Sequence, residues 1–232
     1  MTNYLKENKW KVIISTLATF IPAIVGLILW DKLPDPMPVH WNALGEIDGW
    51  APKAFAVLGM PAVLAVLNLV CHVANGADKR NAEQSEKVVS LISWLVPTIA
   101  NVVCVLMYVT AMGSEVSAVK IAVVLVGVIT VLIGNYMPKC KPNYTIGVKM
   151  IWTLESNANW VATHRLVGKV WLAGGILLIL CALLPMPALL YVALVLFLIM
   201  TIVPVVYSYL YFRRHKDDEG YFRVGNTDKD GE

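Results

Sequence analysis

Residues 170–212 read VWLAGGILLILCALLPMPALLYVALVLFLIMTIVPVVYSYLYF, a stretch of 43 residues without one Asp, Glu, Lys or Arg. One helix crosses a hydrocarbon layer of roughly 30 Å in about 20 residues, so the stretch is twice the length of a single crossing. Pro185-Met186-Pro187 interrupts it, and such a cluster marks a turn because proline lacks the amide that would continue a helix. The stretch therefore reads as two spans, 168–184 and 188–211, joined by a tight turn. Working back from it, charge-free windows at 12–30, 54–77, 88–114 and 121–138 place four more spans at 12–30, 54–75, 89–111 and 119–137. The predicted fold class is an all-α membrane protein, a six-transmembrane-helix bundle. The first window carries Pro22 and ends in Leu29-Trp30-Asp31 with no small-x-small cleavage site, so it reads as an uncleaved span rather than a secretory signal.

The composition agrees. Of 232 residues, 58% are hydrophobic and 15% charged, with a mean hydropathy of +0.65. A soluble core of this size cannot hide that much apolar side chain, and disorder needs the opposite balance. Lys and Arg set the orientation. Sixteen of the nineteen fall in the N-terminus, the second and fourth connections and the tail, leaving only Lys32, Lys53 and Lys120 on the other side. The positive-inside rule then puts both termini in the cytoplasm. The expected domains are an N-terminal two-helix segment (1–80), a four-helix segment (81–212) and a flexible charged tail (213–232). Cys71, Cys104, Cys140 and Cys181 form no C-x-x-C pair and read as buried apolar thiols.

The span interiors lack acids and, away from their ends, bases. Proton-coupled carriers keep an ionisable relay at depth. Here the deep polar residues are Asn68, His72, Asn101, Thr130 and Asn135, and His72 reads as an interfacial or hydrogen-bonded histidine. Pro22, Pro61, Pro97 and Pro204 are expected to kink their helices, and Gly174-Gly175 to allow a close helix approach. No repeat argues for the inverted halves of a transporter.

Two connections stand out. The outer one, residues 31–53 (DKLPDPMPVHWNALGEIDGWAPK), is stiffened by Pro34, Pro36 and Pro38 and turned at Asn42–Gly45 and Asp48-Gly49. It should be a compact lid whose polar groups are His40, Asn42 and Asp48, with Trp41 and Trp50 at headgroup level. Its role is either structural or recognition of something arriving from outside. The inner one, 138–167, should enter a helix near Ser156 or Asn157 that continues into the fifth span. There Trp160, His164, Val167 and Trp171 fall on one stripe, which reads as an interfacial anchor more readily than a binding box. His164 with Arg165 is expected to hold this loop against the bundle, and Asn135 and Asn143 to satisfy loop backbone groups. No H-E-x-x-H, G-x-S-x-G or glycine-rich phosphate loop is present, so neither an enzyme nor a cofactor or metal is expected.

The same two connections carry a resemblance. In the outer one, Leu33, Pro34, Pro38, His40, Trp41, Asn42, Gly45, Asp48 and Lys53 match the short domain of unknown function that often precedes an SdpI domain. In the inner one, Gly134, Asn135, Pro138, Lys139, Asn143, Gly147, Trp152, Thr153, Leu154, Trp160, Thr163, His164 and Arg165 resemble the signature of the SdpI family of bacterial immunity proteins. One departure is Lys149-Met150-Ile151, where the family commonly has Arg-Thr-Pro; an ammonium cannot reproduce a bidentate guanidinium contact.

The resemblance implies a multi-pass protein of the bacterial cell membrane that protects against a secreted, sporulation-delaying-type peptide toxin. It also implies signalling through a cytoplasmic transcriptional repressor held at the membrane. The residues singled out are His40, Trp41, Asn42 and Asp48 on the toxin-facing side, and Asn135, Asn143, Lys149, Trp152, Thr153, Trp160, His164 and Arg165 on the cytoplasmic side. Two alternatives remain: a small exporter of a hydrophobic compound, and a signalling scaffold with a basic inner face. Direct nucleic-acid binding is not expected, because the inner cations are spread over several connections.

Overall fold

The computed structural model describes residues 3–215, so the expected tail beyond His215 lies outside the described residues. A short helix α1 (Asn3–Glu7) precedes α2 (Lys9–Ala18) and α3 (Ile21–Ile28), which together make the first span. A hairpin of β1 (Met37–Trp41) and β2 (Ile47–Ala51) follows. A π-helical turn, Phe55–Gly59, leads into α4 (Met60–Ala77). Then come α5 (Glu86–Ala111), α6 (Ala118–Tyr136), a four-residue helix α7 (Ile151–Leu154), α8 (Asn157–Cys181) and α9 (Met186–His215).

Six of these helical runs are long and apolar enough to cross a membrane. Their outward faces carry Ile24, Val66, Leu180 and Phe197, all exposed. Large apolar side chains facing out all round suit lipid rather than water, and the chain is a multi-pass membrane protein. The helix of the fifth span starts at Asn157, as expected near Ser156, and runs straight on into the span. Ser156 caps it, its Oγ accepting from Asn159 N–H at 3.1 Å.

The helices pack in two groups. α5 lies on α2, α3 and α4, while α6 packs on α8 and α8 on α9. The boundary expected at residue 80 falls in the turn between α4 and α5, two helices that pack together. Glycines set the spacing of α6 and α8. A Cβ on Gly127 would lie 2.9 Å from the Gly175 carbonyl, and one on Gly175 would lie 2.7 Å from the Gly127 carbonyl. One heptad on, a Cβ on Gly168 would lie 3.0 Å from the Gly134 carbonyl. Only glycine at these levels lets two backbones touch.

Each proline inside a span frees the carbonyl four residues back, and in two places a side chain from another helix takes it. Pro22 releases Ala18 O, which accepts from Asn101 Nδ2 at 3.0 Å. Pro204 releases Met200 O, which accepts from Trp171 Nε1 at 3.0 Å. Between the first two spans, His72 Nε2 meets Ser15 Oγ at 3.0 Å, and Asn68 Nδ2 donates to Ser15 Oγ at 3.1 Å and Thr16 Oγ1 at 2.9 Å. His72 is thus a buried, hydrogen-bonded histidine. All four cysteines are free.

Candidate functional site

The 31–53 connection departs from an all-helical reading: it forms an antiparallel hairpin, with irregular register around His40. Asn42 closes the turn. Its Oδ1 accepts from Leu44 N–H (2.9 Å) and Glu46 N–H (3.0 Å), and its Nδ2 donates to Glu46 Oε2 (2.8 Å). Gly45, at φ +86, supplies the left-handed step. Lys53 ties the far end, its Nζ donating to the carbonyls of Trp30 and Leu33, both at 3.1 Å. Beneath the hairpin, Leu33 and Met37 are buried against Val57, Met107 and Tyr108, with Trp41 half-buried at the edge of that cluster. His40 Nδ1 and Asp48 Oδ1 pair at 2.5 Å in an exposed position, and Leu44 and Trp50 of the same hairpin are exposed too.

The 138–167 connection is a collar folded around buried polar side chains. Asn143 is fully buried; its Oδ1 accepts from Thr145 N–H (2.9 Å) and Ile146 N–H (2.6 Å), and its Nδ2 donates to Lys141 O (2.8 Å). Trp160 donates from Nε1 to Cys140 O at 2.8 Å and stacks on His164 with ring centroids 3.9 Å apart. His164 Nε2 accepts from Val148 N–H at 3.1 Å, so the ring proton sits on Nδ1, which donates to Trp160 O at 2.8 Å. Gly147 faces the Nε2 edge of that ring at φ +108; a Cβ there would overlap His164 Nε2. Thr153 Oγ1 accepts from Met150 N–H at 2.9 Å and starts α7. Trp152 then docks on α9, its Nε1 donating to Ser208 Oγ at 3.0 Å and its ring stacking on Phe212.

The collar also reaches the other helix group. Gln84 and Lys141 exchange two hydrogen bonds, at 2.8 and 3.0 Å. Asp78 Oδ2 accepts from Tyr144 N–H at 2.6 Å, and Asn81 Nδ2 donates to Thr145 Oγ1 at 2.6 Å. An apolar cavity of about 570 Å³ lies below residues 144–149, between Cys71 and Ile92 of one group and Ile133 and Trp171 of the other. Burial pushes the Cys140 thiol up to about 11, against the opposing pull of the Asn143 amide.

Residues 139–208 match the SdpI/YfhL protein family. The match begins at the collar and runs through α8 to Ser208, the residue that receives Trp152. Residues 17–65, which include the hairpin, match a domain of unknown function (DUF1648). The Immunity protein SdpI of Bacillus subtilis (strain 168) is 21% identical over 211 residues, covering 88% of this chain and 97% of that protein. No solved structure matches the chain.

Against this SdpI-like segment the sequence-predicted residues divide. Asn143, Thr153, Trp160 and His164 meet in the buried collar, and Trp152 packs beside it. The Trp160–His164 stripe is core, not an interfacial anchor, because the loop folds over it and supplies Cys140 O to the indole. Lys149 stays exposed and donates to Tyr144 O (3.0 Å) and Thr145 O (3.2 Å), two separate carbonyls that an ammonium can serve without a bidentate fork. Among the described residues, Arg165 makes no hydrogen bond to the loop and Asn135 none to its backbone. Both are exposed and line a separate cleft on the α6–α8 seam, since one residue beyond His164 a helix has turned by about 100°. Asn159 is a residue that sequence reasoning missed. Fully buried, it donates to Ser208 O (3.1 Å) and accepts from Thr163 Oγ1 (2.9 Å). The Ser156-x-x-Asn159-x-x-x-Thr163 spacing at the helix start was the available signal. Among the described residues, no group of three or more His, Cys, Asp or Glu could hold a metal ion.

Proposed function

We propose that this chain is a membrane immunity protein that protects the cell carrying it against a membrane-active peptide toxin. The observation that carries this is the likeness to Immunity protein SdpI over 88% of the chain and 97% of that protein, with both family-like loops built as ordered elements. The Lys and Arg distribution supports cytoplasmic termini, an outward hairpin and an inward collar. A peptide attacking the lipid phase first partitions into the outer leaflet. There the hairpin offers exposed apolar side chains, Leu44 and Trp50, together with the exposed His40–Asp48 pair. Trp41 anchors the hairpin to the cluster beneath it, and Asn42 holds its turn in shape. The collar faces the cytoplasm and is where a repressor partner would be met. A toxin passes a signal inward only if it binds one arrangement of the two helix groups better than another.

The test is survival. The full chain, expressed in a sensitive host and challenged with a sporulation-delaying-type peptide, should raise the fraction of surviving cells. No gain with correctly inserted protein overturns the reading. Insertion is checked separately: an impermeant thiol reagent should label a cysteine placed at 43 and not one at 157. The apolar cavity of about 570 Å³ favours a second reading, export of a hydrophobic compound. Proteoliposome flux that responds to a proton gradient would support it over immunity.

A further inference from the structure

We propose that the α6–α8 seam carries a binding site for an anionic phospholipid in the leaflet on the collar side. The collar leaves Arg165 and Asn135 unused, and both line a cleft of about 380 Å³ with Lys169. Gly134, Pro138, Gly168 and Leu172 complete it. Two features of this cleft point to a lipid.

The first is depth. α6 and α8 run antiparallel, with Gly127 opposite Gly175 and Gly134 opposite Gly168. Lys169 is therefore level with the last turn of α6, inside the span that ends at Lys139, and Arg165 is one turn nearer the water. Both are exposed, so they point to the lipid side. A cation there must snorkel or find an anion.

The second is charge. Between Glu115 and Asp217 the only acid in the sequence is Glu155, and it lies at a different cleft, with Arg80 and Lys141. The described residues give Arg165 and Lys169 no carboxylate within 4.0 Å. Two cations four residues apart on one helix, with the Asn135 amide across the seam, suit a phosphate oxygen cluster at the headgroup level. Leu172, which also lines the cleft, offers an apolar wall to the upper part of an acyl chain. This site does not depend on the immunity reading.

The test uses the full chain, purified and titrated with phosphatidylglycerol or phosphatidylcholine, with bound lipid counted by native mass spectrometry. Wild type should prefer phosphatidylglycerol. The double variant R165Q/K169Q should lose about 25-fold of that preference, from roughly fivefold per basic side chain near an anionic surface, while K79Q/K87Q keeps it. A diazirine-headgroup phosphatidylglycerol should cross-link at 135–138 and 165–172 in wild type, which needs no variant to fold. An unchanged preference in R165Q/K169Q, a loss in K79Q/K87Q instead, or cross-links elsewhere would overturn the site. Competition by free glycerol phosphate as strong as by the lipid would also overturn it, by showing a soluble anion site.

Discussion

Replacing Gly147 by alanine should loosen the inner collar without altering any helix. Gly147 sits at φ +108, where a residue with a side chain costs about 1–3 kcal/mol. The new Cβ would overlap His164 Nε2 and lie 3.2 Å from the two neighbouring ring carbons. The ring has nowhere to go. It is stacked on Trp160 at 3.9 Å and held by Trp160 O at 2.8 Å and Val148 N–H at 3.1 Å. Either the loop lifts and Val148 N–H loses its acceptor, or the ring tilts and both hydrogen bonds fail. One stranded buried donor costs about 1–3 kcal/mol, so the whole substitution should cost about 4 kcal/mol. For a chain of this length that lowers the melting temperature by about 10 °C. The assay is thermal unfolding of the purified full chain, followed by tryptophan fluorescence. Repeating it in an H164A background separates the two causes, since without the ring only the backbone strain remains and G147A should cost about half as much. An unchanged melting temperature in G147A, or the same loss in both backgrounds, would show that Gly147 is not kept free for His164.

Other outcomes follow from the same contacts. N42A strips two loop amides of their acceptor at about 1 kcal/mol each; hydrogen exchange at 42–47 should speed up while the spans stay protected. W171F should cost about 1 kcal/mol by stranding Met200 O, and less in a P204A background, where the helix regains the amide that caps that carbonyl. G127V, built 2.9 Å from the Gly175 carbonyl, should push α6 off α8 and destabilise by about 1–3 kcal/mol or more, read as a lower melting temperature. Burial disfavours the thiolate of Cys140 and raises its pKa to about 11, so at pH 7.5 the thiol stays neutral. Maleimide should label it slowly in the folded protein and quickly after denaturation, and rapid labelling at pH 7.5 in the native state would refute its burial.

The spans were legible because charge is so costly in hydrocarbon that its absence alone outlines them. The turn at Pro185–Pro187 and the helix start at Ser156 were legible for similar local reasons. The hairpin was not. MPVHW and IDGWA each contain a poor strand former, Pro38 and Gly49, and their pairing rests on Asn42 and Lys53 rather than on alternation. The inward face of Trp160 was hidden too, because a tryptophan near a helix end suits the membrane interface equally well, and only the distant Cys140 carbonyl decides. Gly127 and Gly134 carry no signal until Gly175 and Gly168 are set opposite them. The same holds for Asn101 and Trp171, whose acceptors are carbonyls released by prolines on other helices.

A division of labour among the motif residues follows from the cost of unpaired backbone near lipid. A loop entering this zone must satisfy its own amides and carbonyls or stay in water. Asn42, Lys53, Asn143, Thr153, Trp160 and His164 have their polar atoms engaged in that work. They keep the two loops in shape, and a buried indole or imidazole already bonded at every nitrogen has no donor left for a ligand. The motif residues left for the recognition proposed above are those whose polar groups face outward: His40 and Asp48 at one end and Arg165, beside Lys169, at the other. Substitutions in the first set should lower stability and function together, whereas those in the second should alter binding with the fold intact. A survival assay run beside a melting curve distinguishes the sets, and loss of the fold in R165Q or D48N would break the division.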